Sequence, residues 1–253
     1  MNPEGKVAVI TGGNSGLGEA AALVLAKAGA KVVTLDLSGA PPVGETVVCD
    51  VTEAASVKAA VEQVLARHGH IHILINNAGI GGVAPIATAD GPIDLDAFRR
   101  IVEVNLIGAT IVAGEVAHRM IGNAPSGPDG ERGVIVNSCS IASFEGQEGM
   151  SAYTASKSAL AALTLVWARD LSKHAIRVNG VAPGLMDTPM VAGLPPDFLA
   201  ELIKDTEFPQ RAGRAEEFGA VVEFLVRTPL INGAVIRLDA GTRPPARMSM
   251  EGY

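Results

Sequence analysis

The chain has 253 residues, 48% of them hydrophobic, with 29 glycines and a formal net charge of −7 at pH 7. This length and apolar content suffice for one large α/β domain with a well-filled core. The negative charge argues against a nucleic-acid backbone as the main partner, although a helix N-terminus or a local basic group can still bind an anionic ligand.

The N-terminal stretch predicts a dinucleotide-binding turn. Lys6 to Thr11 is a continuous apolar run of the kind that forms a buried parallel strand, and a helix is predicted from Leu17 to Ala28. Between them lies GGNSGLG, in which Gly12, Gly16 and Gly18 allow a tight turn and the close approach of a pyrophosphate to the helix N-terminus. A lone glycine-rich turn is weak evidence, but this one lies between a strand and a helix.

Asp36 favours NAD over NADP. A second predicted strand, KVVTLD, ends at this residue about twenty positions after the turn, where a carboxylate can accept hydrogen bonds from the adenosine ribose. The same carboxylate would repel a 2′-phosphate, and the next residues, Leu37 and Ser38, supply no positive charge. The alternative is an acidic residue at a strand end that faces only solvent.

The middle of the chain continues the alternation of strands and helices. A third strand is predicted from Thr46 to Asp50, and Asp50 either lines an adenine pocket or caps the next helix, Ala54 to Arg67; the two roles are compatible. A fourth strand, Ile71 to Ile75, runs into the sequence NNAG, Asn76 to Gly79. Small and amide residues there let the backbone lie against a cofactor, whereas the alternative is an ordinary turn after a strand.

Three further features are expected before the catalytic stretch. Gly81 to Pro92 predicts a flexible loop without regular structure, and a long helix is predicted from Asp96 to about Met120. Asn105 falls inside this helix, where it is either a polar interface residue or the holder of a water in a proton relay behind Lys157. Ala124 to Arg132 predicts an exposed excursion of the chain.

The stretch SCSIASFEGQEGMSAYTASK carries the predicted chemistry. It follows a fifth strand, Gly133 to Asn137, and places Tyr153 and Lys157 four residues apart in a predicted helix with Ser151 as its N-cap. A free phenol ionises near pH ~10, and an ammonium one helical turn away favours the phenolate, so the phenol can exchange protons near neutral pH. The hydroxyl of Ser140 can hydrogen-bond a carbonyl that the tyrosine protonates.

A tyrosine and a lysine at this spacing are by themselves a common surface pair. The serine that precedes them and the nucleotide-binding turn far upstream favour catalysis, and together they predict reversible reduction of a ketone by hydride. A non-catalytic nucleotide sensor is the alternative from a different class, since fold does not fix function.

The last third of the chain predicts the end of the sheet and a substrate loop. A sixth strand is predicted from Arg177 to Ala182, a helix from Ala215 to Arg227 and a seventh strand from Ala234 to Leu238. Leu185 to Arg211 is too long for a simple connection and predicts a lid or binding loop. The proline-rich tail from Thr242 onward is either a loose end or a subunit contact.

Cysteine usage and the N-terminus predict a cytoplasmic protein. Cys49 and Cys139 lie next to apolar strand patterns, which favours free buried thiols in a reducing compartment. We expect no signal peptide, because the first strand begins within about five residues, and no apolar run of membrane-spanning length. The five histidines show no ligand spacing, so no metal site is expected.

The motifs TGGNSGLG, NNAG, YTASK and VAPG, with Asn105 and Ser140, resemble those of the short-chain dehydrogenase/reductase family over essentially the whole chain. The resemblance implies one domain, residues 1–253, with a cofactor half of about 1–130 and a catalytic half of about 131–253. It implies a Rossmann-type, doubly wound, mainly parallel sheet of seven strands with helices on both faces. In this pattern Tyr153 is the acid/base, Ser140 orients the carbonyl, Lys157 favours the tyrosinate and binds the nicotinamide ribose, and Asn105 holds the relay water. The residues at cofactor-contacting positions are Gly12, Ser15, Gly16, Leu17, Gly18, Asp36, Asp50, Val51, Asn77, Ala78, Gly79, Tyr153, Lys157, Pro183, Gly184, Met186 and Thr188.

A narrower resemblance, carried by APGLMDTPM, FPQRAGRAEEF and INGAVIRLDAG, is to the type 2 3-hydroxyacyl-CoA dehydrogenase subfamily. It implies NAD-dependent interconversion of 3-hydroxyacyl-CoA and 3-ketoacyl-CoA in a homotetramer, with a hydroxysteroid or other apolar secondary alcohol as the alternative substrate. The substrate positions are Ser140, Gln147, Met150 and Tyr153. The chain departs from that subfamily at Met150, where a glutamine is usual, and in residues 87–94.

A CoA thioester also requires basic groups for its phosphates. Lys204, Arg211 and Arg214 are the candidates in the predicted lid and just after it. Binding of the CoA phosphates would require these three side chains to converge.

Overall fold

The computed structural model describes residues 1–192 and 195–246, arranged as an alternating series of strands and helices. Residues 193 and 194 of the predicted lid, and the tail beyond residue 246, lie outside the described residues. The strands are β1 (Val7–Thr11), β2 (Lys31–Asp36), β3 (Glu45–Val48), β4 (Ile73–Asn76), β5 (Ala87–Thr88), β6 (Gly91–Pro92), β7 (Gly133–Ser138), β8 (Ile176–Pro183) and β9 (Val235–Leu238). The helices are α1 (Gly16–Lys27), α2 (Ala54–His68), α3 (Leu95–Val102), α4 (Ala109–Met120), α5 (Ser151–Ser172), α6 (Pro189–Ala192), α7 (Pro196–Lys204) and α8 (Ala215–Arg227).

The main sheet has seven parallel strands in the order β3-β2-β1-β4-β7-β8-β9. The chain starts at β1 in the middle, moves outward to β3, and then returns to β4 on the other side of β1. The direction of winding therefore reverses between β1 and β4, and the carboxyl ends of these strands border the crevice in which such sheets bind ligands. The predicted doubly wound, seven-stranded parallel sheet is confirmed.

The continuous apolar runs arise because both faces of the sheet are covered. In β1, Val7 and Val9 pack into a core shared with α2 and α4. The alternate residues, Ala8 and Ile10, pack into a second core shared with α1 and α8. Successive side chains of a strand point to opposite faces of the sheet. Every residue of β1 is buried because helices cover both faces.

The predicted helix from Asp96 to Met120 is interrupted. A π-helical turn, Glu103–Gly108, separates α3 from α4 and contains the buried Asn105. The whole segment Leu95–Met120 is long and apolar enough to cross a membrane by length and composition, contrary to the expectation that no apolar run reaches that length. This is weak evidence for a membrane span, because 44% of its most apolar window is buried inside the protein and core helices pass the same test.

Three smaller expectations are also corrected. The predicted loop Gly81 to Pro92 contains the short antiparallel hairpin of β5 and β6. Ser151 is the first residue of α5, with Met150 at the N-cap position, so Ser151 is not the cap. The predicted lid, Leu185 to Arg211, is not wholly irregular, because it contains α6 and α7.

The stretch Ala124 to Arg132 is not simply exposed, because Glu131 is buried. Its carboxylate pairs with the guanidinium of Arg177 at 2.8 Å, and the same guanidinium donates hydrogen bonds to the carbonyls of Leu225 and Val226 at the end of α8. A buried cation at a helix C-terminus satisfies carbonyls that have no partner within the helix. Glu131 thus helps to hold β8 against α8.

His72, just before β4, is expected to make stability depend on pH. Burial, with the nearby charges of Lys6 and His70, lowers its pKa to about 4 from 6.5. Its Nδ1 accepts a hydrogen bond from the backbone N–H of Val7 at 3.2 Å, which a protonated ring nitrogen cannot do. The unfolded chain therefore binds more protons than the folded chain as the pH falls from 6.5 to about 4, and stability is lost across that window.

We predict that His72→Asn, whose side-chain oxygen can accept the same N–H, makes the free energy of unfolding less sensitive to acid. Between about pH 7 and pH 4.5 the wild-type chain should lose about 1–2 kcal/mol more than this variant in urea titrations. His118→Asn, on the exposed face of α4, is the matched control and should keep the wild-type pH dependence. Equal losses in the wild type and His72→Asn would refute the assignment.

Candidate active site

A cavity of about 590 Å³ opens at the carboxyl edge of the sheet, beside the point where the winding reverses. Its wall combines the glycine-rich turn after β1, the end of β2, the NNAG sequence after β4 and the catalytic stretch after β7. Residues from both halves of the chain therefore meet in one space. The sequence-predicted residues in this wall are Gly12, Ser15, Gly16, Leu17, Asp36, Asp50, Val51, Asn77, Ala78, Gly79, Ser140, Gln147, Met150, Tyr153, Lys157, Pro183, Gly184, Met186 and Thr188.

The glycine-rich turn has its shape because three of its positions favour or require glycine. Gly12 and Gly16 have φ of +61° and +55°, a backbone region that favours glycine. Gly18 has no such φ, but a Cβ there would lie 2.1 Å from the carbonyl oxygen of Gly12. The third glycine therefore lets α1 pack directly on the turn, which brings the N-terminus of α1 to the cavity.

Asp36 and Asp50 present carboxylates at the same end of the cavity. The Oδ1 of Asp36 accepts the N–H of Leu37 at 2.8 Å, and its Oδ2 accepts the N–H of Asn14 at 3.2 Å. Asp50 accepts hydrogen bonds from the hydroxyl and N–H of Thr52, which lower the pKa of Asp50. Glu53, not Asp50, is the N-cap of α2, so of the two roles weighed for Asp50 only the lining of the cavity is found.

Thr11, which was not among the predicted site residues, links the ends of β1 and β4. Its hydroxyl accepts the backbone N–H groups of Asn77 and Ala78 at 2.9 and 3.0 Å, and the side chain of Asn77 donates to the carbonyl of Gly12 at 3.3 Å. In the next layer the side chain of Asn76 donates to the carbonyl of Ala109 at 2.8 Å and so ties β4 to α4. These bonds fix the NNAG backbone beside the glycine-rich turn.

Tyr153, Lys157 and Ser140 converge at the other end of the cavity. The ammonium of Lys157 is buried, donates to the carbonyl of Ser138 at 2.7 Å and lies 5.9 Å from the ring centre of Tyr153. The hydroxyl of Ser140 accepts the N–H of Ala142 at 3.1 Å, which leaves its own proton available for donation into the cavity. The three groups predicted to carry the chemistry therefore line one cavity, and the cation among them is buried.

Asn105 lies behind this wall, not in it. Its Oδ1 accepts the N–H of Ile80 at 2.8 Å, and its Nδ2 donates to the carbonyl of Ile80 at 2.9 Å and to the hydroxyl of Ser156 at 3.3 Å. A Cβ on Gly79 would stand 3.2 Å from this Oδ1 and 3.4 Å from the ammonium of Lys157. The π-helical turn thus brings Asn105 to a position that presses the Gly79–Ile80 backbone against the lysine; the relay water remains a prediction.

The end of the cavity near Gln147 and Met150 has a wall that sequence motifs did not indicate. Thr242 and Pro244 line the cavity beside Gln147 and Met150. The two segments are joined, since the side chain of Gln147 donates to the carbonyl of Pro245 at 3.4 Å. A cluster of ion pairs reinforces the junction: Arg237 bonds Glu145 at 2.8 Å and Asp239 at 2.6 Å, and Arg243 also contacts Glu145. No local sequence pattern predicts such a contact between residues about a hundred positions apart.

Two of the three basic residues considered for binding CoA phosphates are paired with carboxylates. Arg211 forms a two-pronged pair with Glu217, at 2.9 and 2.8 Å, and this pair holds the pKa of Glu217 at about 2. Lys204 is paired with Glu201, and Arg214 is exposed. In the part of the chain that the structure describes, none of the three candidates lines the cavity.

Neither cysteine is placed for nucleophilic chemistry. Burial raises the pKa of the Cys139 thiol to about 11 and also raises the pKa of Cys49. Both are free thiols, and a thiol that does not ionise near neutral pH behaves as a small apolar side chain. Among the described residues, no three histidine, cysteine, aspartate or glutamate side chains group in a way that could hold a metal ion.

Comparisons with known proteins agree with this geometry. A family model described as short chain dehydrogenase matches residues 6–197. The chain is 40% identical over 248 residues to the 3-hydroxyacyl-CoA dehydrogenase type-2 of Drosophila melanogaster, which covers 94% of this chain and 97% of that protein. Among solved structures, it resembles the 3-hydroxyacyl-CoA dehydrogenase type-2 from Mycobacterium avium, with a TM-score of 0.89 and 36% identity over 96% of this chain and 97% of that one. It also resembles the 3-ketoacyl-(acyl-carrier-protein) reductase from Brucella melitensis complexed with NADH, with a TM-score of 0.83 and 29% identity over 94% of this chain and 98% of that one.

Thr11→Val is predicted to weaken the fold at the cavity edge. Valine has nearly the same shape but leaves the N–H groups of Asn77 and Ala78 without an acceptor, so the free energy of unfolding should fall by about 2 kcal/mol. Thr11→Ser keeps the hydroxyl and is the matched control, with an expected loss of less than about 1 kcal/mol. Urea titrations of the three proteins measure the difference, and a valine variant as stable as the serine variant would contradict the role given to this hydroxyl.

Proposed function

The chain belongs to the short-chain dehydrogenase/reductase family, and we propose that this member interconverts 3-hydroxyacyl-CoA and 3-ketoacyl-CoA thioesters with NAD(H). It is an oxidoreductase that acts on the CH–OH group of secondary alcohols and uses a nicotinamide cofactor. The observation that carries the proposal is that Ser140, Tyr153 and Lys157 share one cavity with the glycine-rich turn and Asp36.

The residues present fit a dinucleotide. A Cβ on Gly16 would project toward Thr188 and Pro189 at 3.7 Å, across the cavity wall, so the bare glycine leaves the turn open to a pyrophosphate beside the N-terminus of α1. Asp36 and Asp50 offer acceptors at the adenosine end. Lys157 and the NNAG backbone would hold the nicotinamide end, where the cofactor supplies or accepts the hydride.

The chain's own residues donate and accept the proton that the reaction transfers. In the reducing direction the hydroxyl of Tyr153 donates its proton to the oxygen of the ketone, and in the oxidising direction the tyrosinate takes the proton of the alcohol. The hydroxyl of Ser140 donates a hydrogen bond to the same oxygen and orients it. The buried ammonium of Lys157 stabilises the tyrosinate, and its bond to the Ser138 carbonyl keeps it in place during the exchange.

Asp36 supports NAD(H) as the cofactor form. Its carboxylate faces the cavity and would accept hydrogen bonds from the ribose hydroxyls, whereas a 2′-phosphate would place like charges together. Leu37 and Ser38, which follow it, carry no charge that could neutralise such a phosphate.

The substrate proposal rests on the two relatives named 3-hydroxyacyl-CoA dehydrogenase type-2 and on an apolar substrate wall that includes Ile141, Met150 and Leu185. A hydroxysteroid or other apolar secondary alcohol is the second candidate. It is favoured by the pairing of Lys204 and Arg211 with carboxylates, which leaves these side chains poorly placed to bind CoA phosphates. A non-catalytic sensor is not supported, because the whole proton-transfer set is present.

We further propose a cytoplasmic homotetramer. Apolar side chains on α5 and on the adjoining π-helical turn are exposed in the single chain, among them Leu165, Val166 and Ile107 at 42%, 47% and 40% exposure. A second copy packed on this face would remove them from water. The two buried thiols suit a reducing compartment.

Tyr153→Phe is predicted to bind NADH like the wild type but to lose turnover. Only the proton donor is removed, so kcat should fall by at least about a hundredfold, while the dissociation constant for NADH changes by less than about threefold. Titration calorimetry measures binding and NADH absorbance measures turnover. A variant with wild-type turnover would exclude Tyr153 as the acid/base.

The substrate and cofactor assignments are tested by NADH oxidation with acetoacetyl-CoA near neutral pH, run beside NADPH and a ketosteroid. We predict turnover of acetoacetyl-CoA with NADH at least about tenfold faster than with NADPH. Turnover of the steroid alone would replace the thioester by the second candidate. Equal rates with NADPH would instead reject the role given to Asp36.

A further inference from the structure

Asn14, in the middle of the glycine-rich turn, joins three segments of the cofactor half. Its side-chain Oδ1 accepts the hydroxyl of Thr34 on β2 at 2.6 Å and the hydroxyl of Thr46 on β3 at 3.1 Å. Its Nδ2 donates to the carbonyl of Ser38, in the turn after β2, at 2.9 Å. The amide oxygen thus faces two hydroxyls and the amide nitrogen faces a carbonyl, and only this orientation of the amide satisfies all three partners.

The network under the turn has a buried centre, whereas Asn14 and Thr46 are half-buried. Thr34 is fully buried, and its hydroxyl lies 2.8 Å from that of Thr46, so the two hydroxyls and the Oδ1 of Asn14 form a triangle. A Cβ on Gly13 would lie 2.6 Å from the side chain of Thr34, which shows that the turn rests directly on this threonine. Without the Asn14 side chain, the Thr34 hydroxyl would lose its shortest hydrogen bond in a site that water does not reach.

The same residue holds Asp36 through its backbone. The N–H of Asn14 donates to Oδ2 of Asp36 at 3.2 Å, while the N–H of Leu37 occupies Oδ1. Each carboxylate oxygen keeps a further lone pair for the cavity. The orientation of the Asp36 carboxylate therefore depends on the position of the Asn14 N–H. The side chain of Asn14 fixes that position, because its hydrogen bonds hold the turn against β2 and β3.

We propose that Asn14 is a positioning residue that sets the affinity for NADH and the preference for NADH over NADPH. It acts through Asp36 from behind the cavity wall and takes no part in proton transfer. The proposal rests on the cofactor form given above, since it assigns to Asn14 the orientation of the carboxylate on which that form depends.

The test is the dissociation constant of the full chain for NADH and for NADPH, measured by titration calorimetry. Asn14→Ala should weaken NADH binding by about tenfold and reduce the NADH-over-NADPH ratio by a similar factor, because the misplaced carboxylate both attracts the ribose and repels the phosphate less well. At saturating NADH, kcat with the ketone that the wild type reduces fastest should stay within about twofold. Asn2→Ala, an exposed asparagine far from the cavity, is the matched control and should change neither constant.

Thr46→Val provides a second, milder variant. It removes one partner of the Asn14 oxygen and should shift both quantities in the same direction by less than Asn14→Ala. Because the two residues act through one network, the double variant should lose less than the product of the two single effects. Circular dichroism and a melting curve establish that each variant is folded.

Unchanged NADH affinity in a folded Asn14→Ala protein would overturn the proposal. Equal weakening of NADH and NADPH would also overturn it, since that result locates the effect at the pyrophosphate and not at Asp36. A wild-type chain without preference for NADH would reject the proposed cofactor form, and the role of Asn14 would then be decided by the NADH constant alone.

Discussion

The proposed chemistry depends on one buried positive charge, the ammonium of Lys157, which must stay near Tyr153 without bulk water around it. Burying a cation is costly unless it is hydrogen-bonded, and here the carbonyl of Ser138 at the end of β7 provides the bond. The free space around the ammonium is small, since Gly79 lies close enough that even a methyl group would reach it. Asn105 in turn holds that glycine's neighbour through two backbone hydrogen bonds. Strand β7, the NNAG backbone and the π-helical turn therefore all help to fix the position of the Lys157 ammonium.

The parallel sheet makes this arrangement possible. Its strands end at the same edge, so a threonine from β1 can bind the backbone that leaves β4, and a carbonyl from β7 can bind a lysine on α5. The reversal of winding between β1 and β4 leaves room for a ligand at that edge. Glycine at positions 12 and 16 keeps this room free of side chains, while Gly18 lets α1 pack on the turn. The topology of the sheet therefore brings the site together, and particular side chains then shape it.

Sequence patterns predicted the elements well where one local rule decides the outcome. The strand ending in Asp36 and the helix from Ala215 to Arg227 match the structure to the residue, because apolar periodicity fixes them. The resemblance to the short-chain dehydrogenase/reductase family is confirmed, and it led to residues that the structure brings into one cavity. The π-helical turn was missed because a single-residue change in helical period hardly alters the apolar pattern between Asp96 and Met120. The burial of Glu131 was missed for another reason. Its partner, Arg177, lies 46 residues away in the sequence, and charge patterns indicate only pairs that lie a few residues apart.

The two ends of the cavity are built by different forces. At the cofactor end, hydrogen bonds of buried or half-buried groups such as Thr11, Thr34 and Asn77 join strands of the sheet, so any change there leaves polar groups unpaired in the core. At the substrate end, partly exposed ion pairs such as Arg237–Glu145 join a loop to the last described segment of the chain, and such pairs contribute little individually. The departures from the 3-hydroxyacyl-CoA dehydrogenase pattern, Met150 and residues 87–94, lie outside the set of residues predicted to contact the cofactor. Because Lys157 is bonded to the end of β7 and shares α5 with Tyr153, the ion-paired wall near Thr242 can change without moving these two side chains.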